Sequence, residues 1–243
     1  MQAAPQVWFT RSLPPDDVQL LRQNGIEPLV HPLIEIELRP VLQILEASKQ
    51  LPPPDALLFT SKNAVDAFVS CLAVRPGWLG DIPLYAVGNA TAHRLLQGTG
   101  RRAHTPPDEQ QDGSGVAGLL IQEQQPGARV WHFSGNKTRP EAPAALQSAG
   151  LMYDAITTYY TVLKKQVNAP RETFYGVAFY SPSAVEAFII NDISLPENCR
   201  IAAIGRTTKA ALQQHGFEDV LVPEIPDTLA LAEALLNEFE LSR

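Results

Sequence analysis

Short apolar runs alternating with longer amphipathic stretches set the pattern of the chain. Val7-Trp-Phe-Thr10, Ala56-Leu-Leu-Phe-Thr60, Leu84-Tyr-Ala-Val87 and Arg129 to Phe133 read as strands, as do Asp154 to Val162, Gly176 to Tyr180 and Ile201 to Ile204. Between them, Asp16 to Gln23, Ala64 to Leu72, Thr91 to Gln97, Ala142 to Ser148, the stretch from Ala184 and Thr207 to Gln214 carry helical spacing. Gly25 and Gly216 stand where two of these helices should stop. Leu229, Ala232, Leu235, Leu236 and Phe239 place one apolar stripe on a last helix. Ile26 to Ile36 is extended but broken by Pro28 and Pro32, which predicts edge or irregular strand. Continuous apolar strands between helices predict a parallel sheet covered on both faces, and the fold class is therefore α/β.

The pattern also repeats. Phe59-Thr-Ser-Lys-Asn-Ala-Val-Asp-Ala-Phe68 matches Phe179-Tyr-Ser-Pro-Ser-Ala-Val-Glu-Ala-Phe188 at six of ten positions, offset by 120 residues. Ala86-Val-Gly-Asn-Ala-Thr91 aligns with Ala203-Ile-Gly-Arg-Thr-Thr208 at an offset of 117, and Gly118-Leu-Leu120 with Ala234-Leu-Leu236 at 116. Upstream, Val7-Trp8 aligns with Val130-Trp131 at 123 and Gly25 with Gly150 at 125. Five matches in one order, with slowly drifting offsets, predict a duplicated half and two similar lobes. Repetition alone would divide them near residue 124.

Ligands of such sheets sit where strand meets helix. The residues there are small and hydroxylated: Thr60-Ser61, Gly88-Asn89, Ser134-Gly135-Asn136, Ser181-Pro182-Ser183, and Gly205 with Thr207-Thr208. Asn63 with Asp66, and Ser183 with Glu186, have the spacing of an N-cap and its third residue. Taken singly, each is a helix cap. Taken together, at matching places in both halves, they offer free N–H groups and positive dipole ends to carboxylates. A cleft between the lobes would suit a molecule bearing several of them. Lys62, Lys137 and Arg139 lie in or beside the same loops. Tyr159 and Tyr160 end a strand, where an aromatic pair ordinarily packs; a phenol at a cleft can also act as general acid.

Composition narrows the classes. Of 243 residues, 45% are hydrophobic and 19% charged, which excludes disorder, collagen and coiled coil as the main state. No apolar run approaches the roughly eighteen residues of a membrane span. Met1-Gln-Ala-Ala-Pro5 has neither basic nor apolar leader character, so no signal peptide is expected. Two cysteines, Cys71 and Cys199, make no disulfide framework, and a reduced, cytoplasmic setting is expected. Net charge is −7 with no basic cluster, which argues against nucleic acid as a partner. Gly113-Ser-Gly-Val-Ala-Gly118 fits G-x-G-x-x-G, but no strand precedes it, and it reads as a loop entering a helix. The five histidines show no metal-ligand spacing; His132 lies on a strand that could bring it near the cleft, but it reads rather as a satisfied core or surface residue.

Phe59-Thr-Ser-Lys-Asn-Ala-Val65, Val87-Gly-Asn-Ala-Thr-Ala92, Thr158-Tyr-Tyr-Thr161, Phe179-Tyr-Ser-Pro-Ser-Ala-Val185 and Ala203-Ile-Gly-Arg-Thr-Thr208, in that order and spacing, resemble the uroporphyrinogen-III synthase family. Lys62 and Arg206 stand where that family varies. The resemblance spans nearly the whole chain. It implies two lobes joined by a two-stranded hinge, with an exchanged N-terminal segment: residues 1–33 with 166–243, and residues 34–165. It implies a cyclising lyase that closes linear hydroxymethylbilane to uroporphyrinogen III, inverting ring D with loss of water, as a monomer and without metal or cofactor. The substrate bears eight carboxylates. The residues implied to bind them are Thr10, Arg11, Ser61, Lys62, Asn63, Gly88, Asn89, Ala90, Thr91, Ser134, Gly135, Asn136, Lys137, Ser181, Pro182, Ser183, Gly205, Thr207 and Thr208. Tyr159 matches the family's cleft tyrosine and is implied to assist departure of hydroxide. A non-enzymatic binder of small polyanions would keep those loops without needing Tyr159; a nucleotide- or flavin-binding α/β protein lacks its phosphate-loop motif here.

Overall fold

Residues 4–241 are described by the computed structural model, with side chains as far as Asn237. Met1–Ala3, where the reading of the leader begins, and the side chain of Phe239 lie outside the described residues. In chain order the elements are β1 (Gln6–Phe9), α1 (Pro15–Gln23), β2 (Glu27–Val30), β3 (Ile34–Leu38), α2 (Val41–Lys49), β4 (Ala56–Phe59), α3 (Lys62–Val74), β5 (Leu84–Ala86) and α4 (Asn89–Thr99). They continue as α5 (Gly113–Glu123), β6 (Arg129–Gly135), α6 (Glu141–Ser148), β7 (Met152–Leu163), β8 (Gly176–Phe179) and α7 (Pro182–Ile190). The last are β9 (Arg200–Ala203), α8 (Arg206–Gln213), β10 (Val220–Leu221) and α9 (Thr228–Leu241).

The chain divides into two compact units, one joining the residues up to Glu35 to those from Val162 onward, the other Ile36–Thr161. Each holds one five-stranded sheet, in the order β10-β9-β8-β1-β2 and β3-β7-β6-β4-β5. The described pairings β1–β2, β1–β8, β8–β9, β9–β10, β4–β5, β4–β6 and β6–β7 are all parallel. The N-terminal strand β1 thus pairs with β8, some 170 residues on, rather than with β4 of the half it precedes. The extended stretch around Pro28 and Pro32 forms two strands, β2 and β3, each at the edge of a different sheet, where a missing N–H costs no ladder bond.

Alternation along each strand feeds two cores, one per face. In the 36–161 unit, Leu57 and Phe59 of β4 join Phe68, Trp78, Trp131 and Phe133 on one side, while Ala56 and Leu58 join Tyr85, Val116, Leu120 and Val130 on the other. The Phe133 ring stacks on Phe59 at 5.1 Å between centroids and meets Phe68 edge-on at the same distance. The other unit repeats the scheme. Val177 and Phe179 of β8 pack with Trp8 and Phe188, and Ala178 faces Phe9, Leu231 and Leu235. The duplicated segments therefore occupy equivalent places: strand, hydroxylated turn, helix.

The 41–49 helix α2 is absent from the sequence expectations, because Pro40 opens it with no side-chain cap and prolines 52–54 crowd its end. Among the described residues no helix is long and apolar enough to cross a membrane.

Candidate functional site

Strand ends in both units deliver a turn residue in extended conformation followed at once by a helix. Ser61 (φ −154°) accepts the backbone N–H of Asn63 at 3.1 Å, and Ser181 (φ −161°) accepts that of Ala184 at 3.2 Å. The caps of α3 and α7 are thus Ser61 and Ser181, not Asn63 and Ser183 as spacing predicts. The strands end at Phe59 and Phe179, one residue sooner than the apolar runs predict, and the helices start at Lys62 and Pro182, two residues before a cap at 63 or 183 would place them. Gly88 and Gly205 open α4 and α8 in the same extended geometry.

At α4 the expected anion position is already occupied by the chain. Gln111 Oε1 accepts the Asn89 backbone N–H at 2.9 Å, and Asp108 Oδ1 accepts from Asn89 Nδ2 (2.8 Å) and Gln111 Nε2 (2.7 Å). Gly88 leaves the room, since a Cβ there would lie 2.5 Å from Gln111 Oε1. Asp112 then caps α5 by accepting the Gly115 N–H at 2.9 Å. The glycine run of residues 113–118 is therefore a helix start; Gly115 is required because a Cβ would fall 1.9 Å from the Gln110 carbonyl oxygen.

A cavity of about 430 Å³ opens at the strand ends of the 36–161 unit. Thr60, His132, Gly135 and Tyr159 line it from the sheet, Gln111 to Ser114 from the start of α5, and Lys137, Thr138, Arg139 and Glu141 from the approach to α6. Tyr159 reaches it through a β-bulge. Up to Ser134 each β6 residue pairs with the residue 23 positions on, Ser134 with Thr157; Gly135 pairs with Tyr159, leaving Thr158 as the extra residue. Without that slip Tyr159 would lie opposite Asn136, on the other face. Thr158 satisfies the groups the bulge frees: its hydroxyl donates to the Ser134 carbonyl (3.0 Å) and its own carbonyl accepts the Arg39 N–H (2.9 Å). The half-buried Tyr159 ring lies directly over Gly135, where a Cβ would come 2.5 Å from Cε2 and 2.9 Å from the phenol oxygen.

His132 sits in the cavity wall with both ring nitrogens engaged, Nε2 2.8 Å from Thr60 Oγ1 and Nδ1 2.8 Å from the Tyr153 hydroxyl. Burial lowers its pKa from 6.5 to about 4. Between those values the unfolded chain binds a proton that the folded chain does not, so the contribution is complete above about 6.5 and is lost as pH falls toward 4. The loss between pH 7 and pH 5 amounts to about 2 kcal/mol. The urea midpoint of the wild-type protein is expected to drop over that interval more than that of His132→Gln. Equal drops would show that the imidazole does not titrate this way. Burial also raises Cys71 to about 11 and Cys199 to about 12, which keeps both thiols protonated and unreactive.

Of the residues expected from sequence, the cavity brings together Gly135, Lys137 and Tyr159. Ser61, Lys62, Asn63, Ala90 and Thr91 do not line it; Thr91 is buried and Lys62 exposed. Ser134 is buried with its Oγ unpartnered, and Asn136 Oδ1 accepts the Thr161 N–H at 2.8 Å. In the other unit the Thr10 hydroxyl donates to the Ala178 carbonyl (2.8 Å), a structural bond between strands β1 and β8. Arg11 lies 3.9 Å over the Tyr180 ring and donates to Thr228 Oγ1 at 2.9 Å. Burial raises the Tyr180 pKa. Pro182 and Ser183 form the first turn of α7, Gly205 caps α8, Thr207 is exposed and Thr208 buried. Gln111, Thr138 and Tyr153 escape motif reading; Thr60 stands among the hydroxylated strand-end residues read from the sequence, though not among those the resemblance implies to bind carboxylates. Among the described residues no group of three or more His, Cys, Asp or Glu is placed to hold a metal ion.

A family model described as uroporphyrinogen-III synthase HemD matches residues 16–237. Among solved structures, uroporphyrinogen-III synthetase from Helicobacter pylori is 24% identical, with a TM-score of 0.67 over 98% of this chain and 99% of that one. A triple-mutant uroporphyrinogen III synthase from Thermus thermophilus is 20% identical, with a TM-score of 0.64 over 98% of each chain. At these identities the two structures bear on the fold, a mixed α/β architecture of parallel sheets flanked by helices.

Proposed function

The chain belongs to the uroporphyrinogen-III synthase family, cyclising lyases of tetrapyrrole biosynthesis, and from that premise we propose how its residues handle hydroxymethylbilane. The observation that carries the reading is Tyr159, brought by a bulge into a cavity that also holds Lys137 and Arg139. The substrate's eight carboxylates meet a protein of net charge −7, so attraction has to be local. In the 36–161 unit Lys137 and Arg139 supply it at the cavity, whose lining also carries Asp112 and Glu141. The start of α3 at Ser61 and Lys62, and in the other unit the equivalent starts of α7 at Ser181 and Ser183 and of α8 at Gly205 and Thr207, add backbone and hydroxyl groups at positive helix ends, whereas the start of α4 at Ala90 and Thr91 is closed by Gln111.

Chemistry begins with the terminal hydroxymethyl group of the substrate. Its C–O bond breaks and the Tyr159 phenol gives its proton to the departing oxygen, so that water leaves. The pyrrole N–H gives its proton back to the phenolate, and the electron-poor azafulvene that results is attacked by the substituted carbon of ring D, forming the spiro-pyrrolenine. The bond from that carbon to the methylene already joining ring D to its neighbour then breaks and re-forms at the adjacent carbon, which loses its proton and leaves the ring inverted. Uncatalysed closure yields the uninverted isomer, so holding the carboxylates to present one carbon rather than its neighbour is the larger part of the task. We place the reaction in the cytoplasm, carried out by a single chain.

The test is an isomer assay. Hydroxymethylbilane generated in situ is exposed to the protein, the products are oxidised, and uroporphyrins I and III are separated by chromatography. Isomer III is expected as the main product. Isomer I alone from folded protein would leave a binder of polyanions in its place.

A further inference from the structure

Thr60 and His132 face the cavity that Tyr159 lines, and Tyr153 stands behind them on β7. The three form one chain: Tyr153 hydroxyl to His132 Nδ1 at 2.8 Å, and His132 Nε2 to Thr60 Oγ1 at 2.8 Å. A neutral imidazole has one donor and one acceptor, so this chain has a direction. Among the described residues the Tyr153 hydroxyl has a single hydrogen-bond partner, His132 Nδ1. Burial raises the phenol pKa to about 12, and the proton stays on it. Tyr153 is half-buried, and among the described residues Nδ1 is the acceptor its hydroxyl hydrogen reaches. Nδ1 therefore accepts, the ring proton resides on Nε2, and Nε2–H donates to Thr60 Oγ1. With a lone pair of Thr60 filled from the ring side, its own hydrogen turns away, toward the cavity.

We infer that Tyr153 and His132 are positioning residues that fix the Thr60 hydroxyl as a donor, so that this point of the cavity takes a substrate carboxylate rather than a pyrrole N–H. The inference rests on the proposed handling of hydroxymethylbilane. The opposite tautomer would point the Thr60 hydrogen at the ring and present only lone pairs, which suit an N–H. Direction thus selects between the two kinds of group the substrate carries. Neither Tyr153 nor His132 need touch the ligand.

Two measurements test it. Long-range 1H–15N correlation on histidine-labelled wild-type protein reads the tautomer without any substitution: Nε2–H is expected at His132, and Nδ1–H would overturn the inference. The second is KM for hydroxymethylbilane in isomer III formation. Thr60→Val is expected to raise KM roughly ten-fold or more, the scale of a hydrogen bond to a charged group, with kcat nearly constant. Tyr153→Phe is expected to raise it by a smaller factor, roughly three- to ten-fold, because it acts through Thr60. The double variant should then match Thr60→Val alone, a non-additivity that mere loosening of the fold would not produce. Unchanged KM in either single variant, or factors that multiply in the double one, would overturn the relay while isomer III formation by the wild type left the enzyme reading standing. Wild-type protein yielding isomer I alone would remove both.

Discussion

Tyr159→Phe is expected to lower kcat for isomer III roughly ten- to hundred-fold, the usual contribution of a positioned general acid. The substitution removes one oxygen. It leaves the ring, which is half-buried, packs against the Phe59–Phe133 core and lies over Gly135, and it leaves the bulge that aims it. Melting temperature should therefore hardly move, which makes kcat the informative readout. KM should stay close to wild type, because the carboxylates are held by other groups and the phenol acts on the departing oxygen. The isomer ratio should also stay with III for as long as enzymatic closure outpaces the spontaneous reaction. A variant with wild-type kcat would show that the phenol takes no part in hydroxide departure. A variant with raised KM and intact kcat would make Tyr159 a binding group instead.

The parts of this molecule that can be read from the chain are those carried by local windows. Val7–Phe9, Ala56–Phe59 and Gly176–Phe179 are apolar throughout because both faces of a parallel sheet are covered, and they emerge as buried strands. The match of Phe59–Phe68 with Phe179–Phe188 marks equivalent strand–turn–helix pieces, each opened by a serine cap. Features that depend on distant partners are not legible in this way. Gln111 filling the start of α4 follows from a loop that folds back across 22 residues, and nothing near Asn89 signals it. The bulge at Gly135 and Tyr159 is a register choice between two strands, invisible in either alone. For His132 the sequence leaves open a place near the cleft and prefers a satisfied core or surface residue; that it is buried and also reaches a cavity beside Thr60 depends on strand pairing across 72 residues. Local chemistry thus points to the strand ends, while long-range packing decides which of their residues meet.

Gly135→Ala is expected to lower kcat about as far as Tyr159→Phe, on the order of a hundred-fold at most, although it changes no chemical group at the cavity. The added methyl would sit 2.5 Å from Tyr159 Cε2, 2.6 Å from Cζ and 2.9 Å from the hydroxyl oxygen, distances that side-chain carbons do not tolerate. Relief by local settling is blocked on both sides. The Gly135 carbonyl accepts from Thr138 Oγ1 at 3.0 Å, the Tyr159 carbonyl accepts the Asn136 N–H at 3.1 Å, and the Phe59–Phe133 stack lies next along the sheet. The ring has to swing out, by about an ångström, and a displacement of that size at a reacting group costs on the order of a hundred-fold. Overpacking should also lower stability by roughly 1–3 kcal/mol, so kcat is to be measured well below the melting temperature. The decisive comparison is with Gly135→Ala in the Tyr159→Phe background. If the glycine acts by seating the phenol, the methyl has little left to disturb once the oxygen is gone, and the double variant loses no more than the worse single one. Multiplying losses would mean that Gly135 holds substrate through its own backbone, and full activity in Gly135→Ala would mean that the phenol reaches the departing oxygen from a place other than the one the bulge provides.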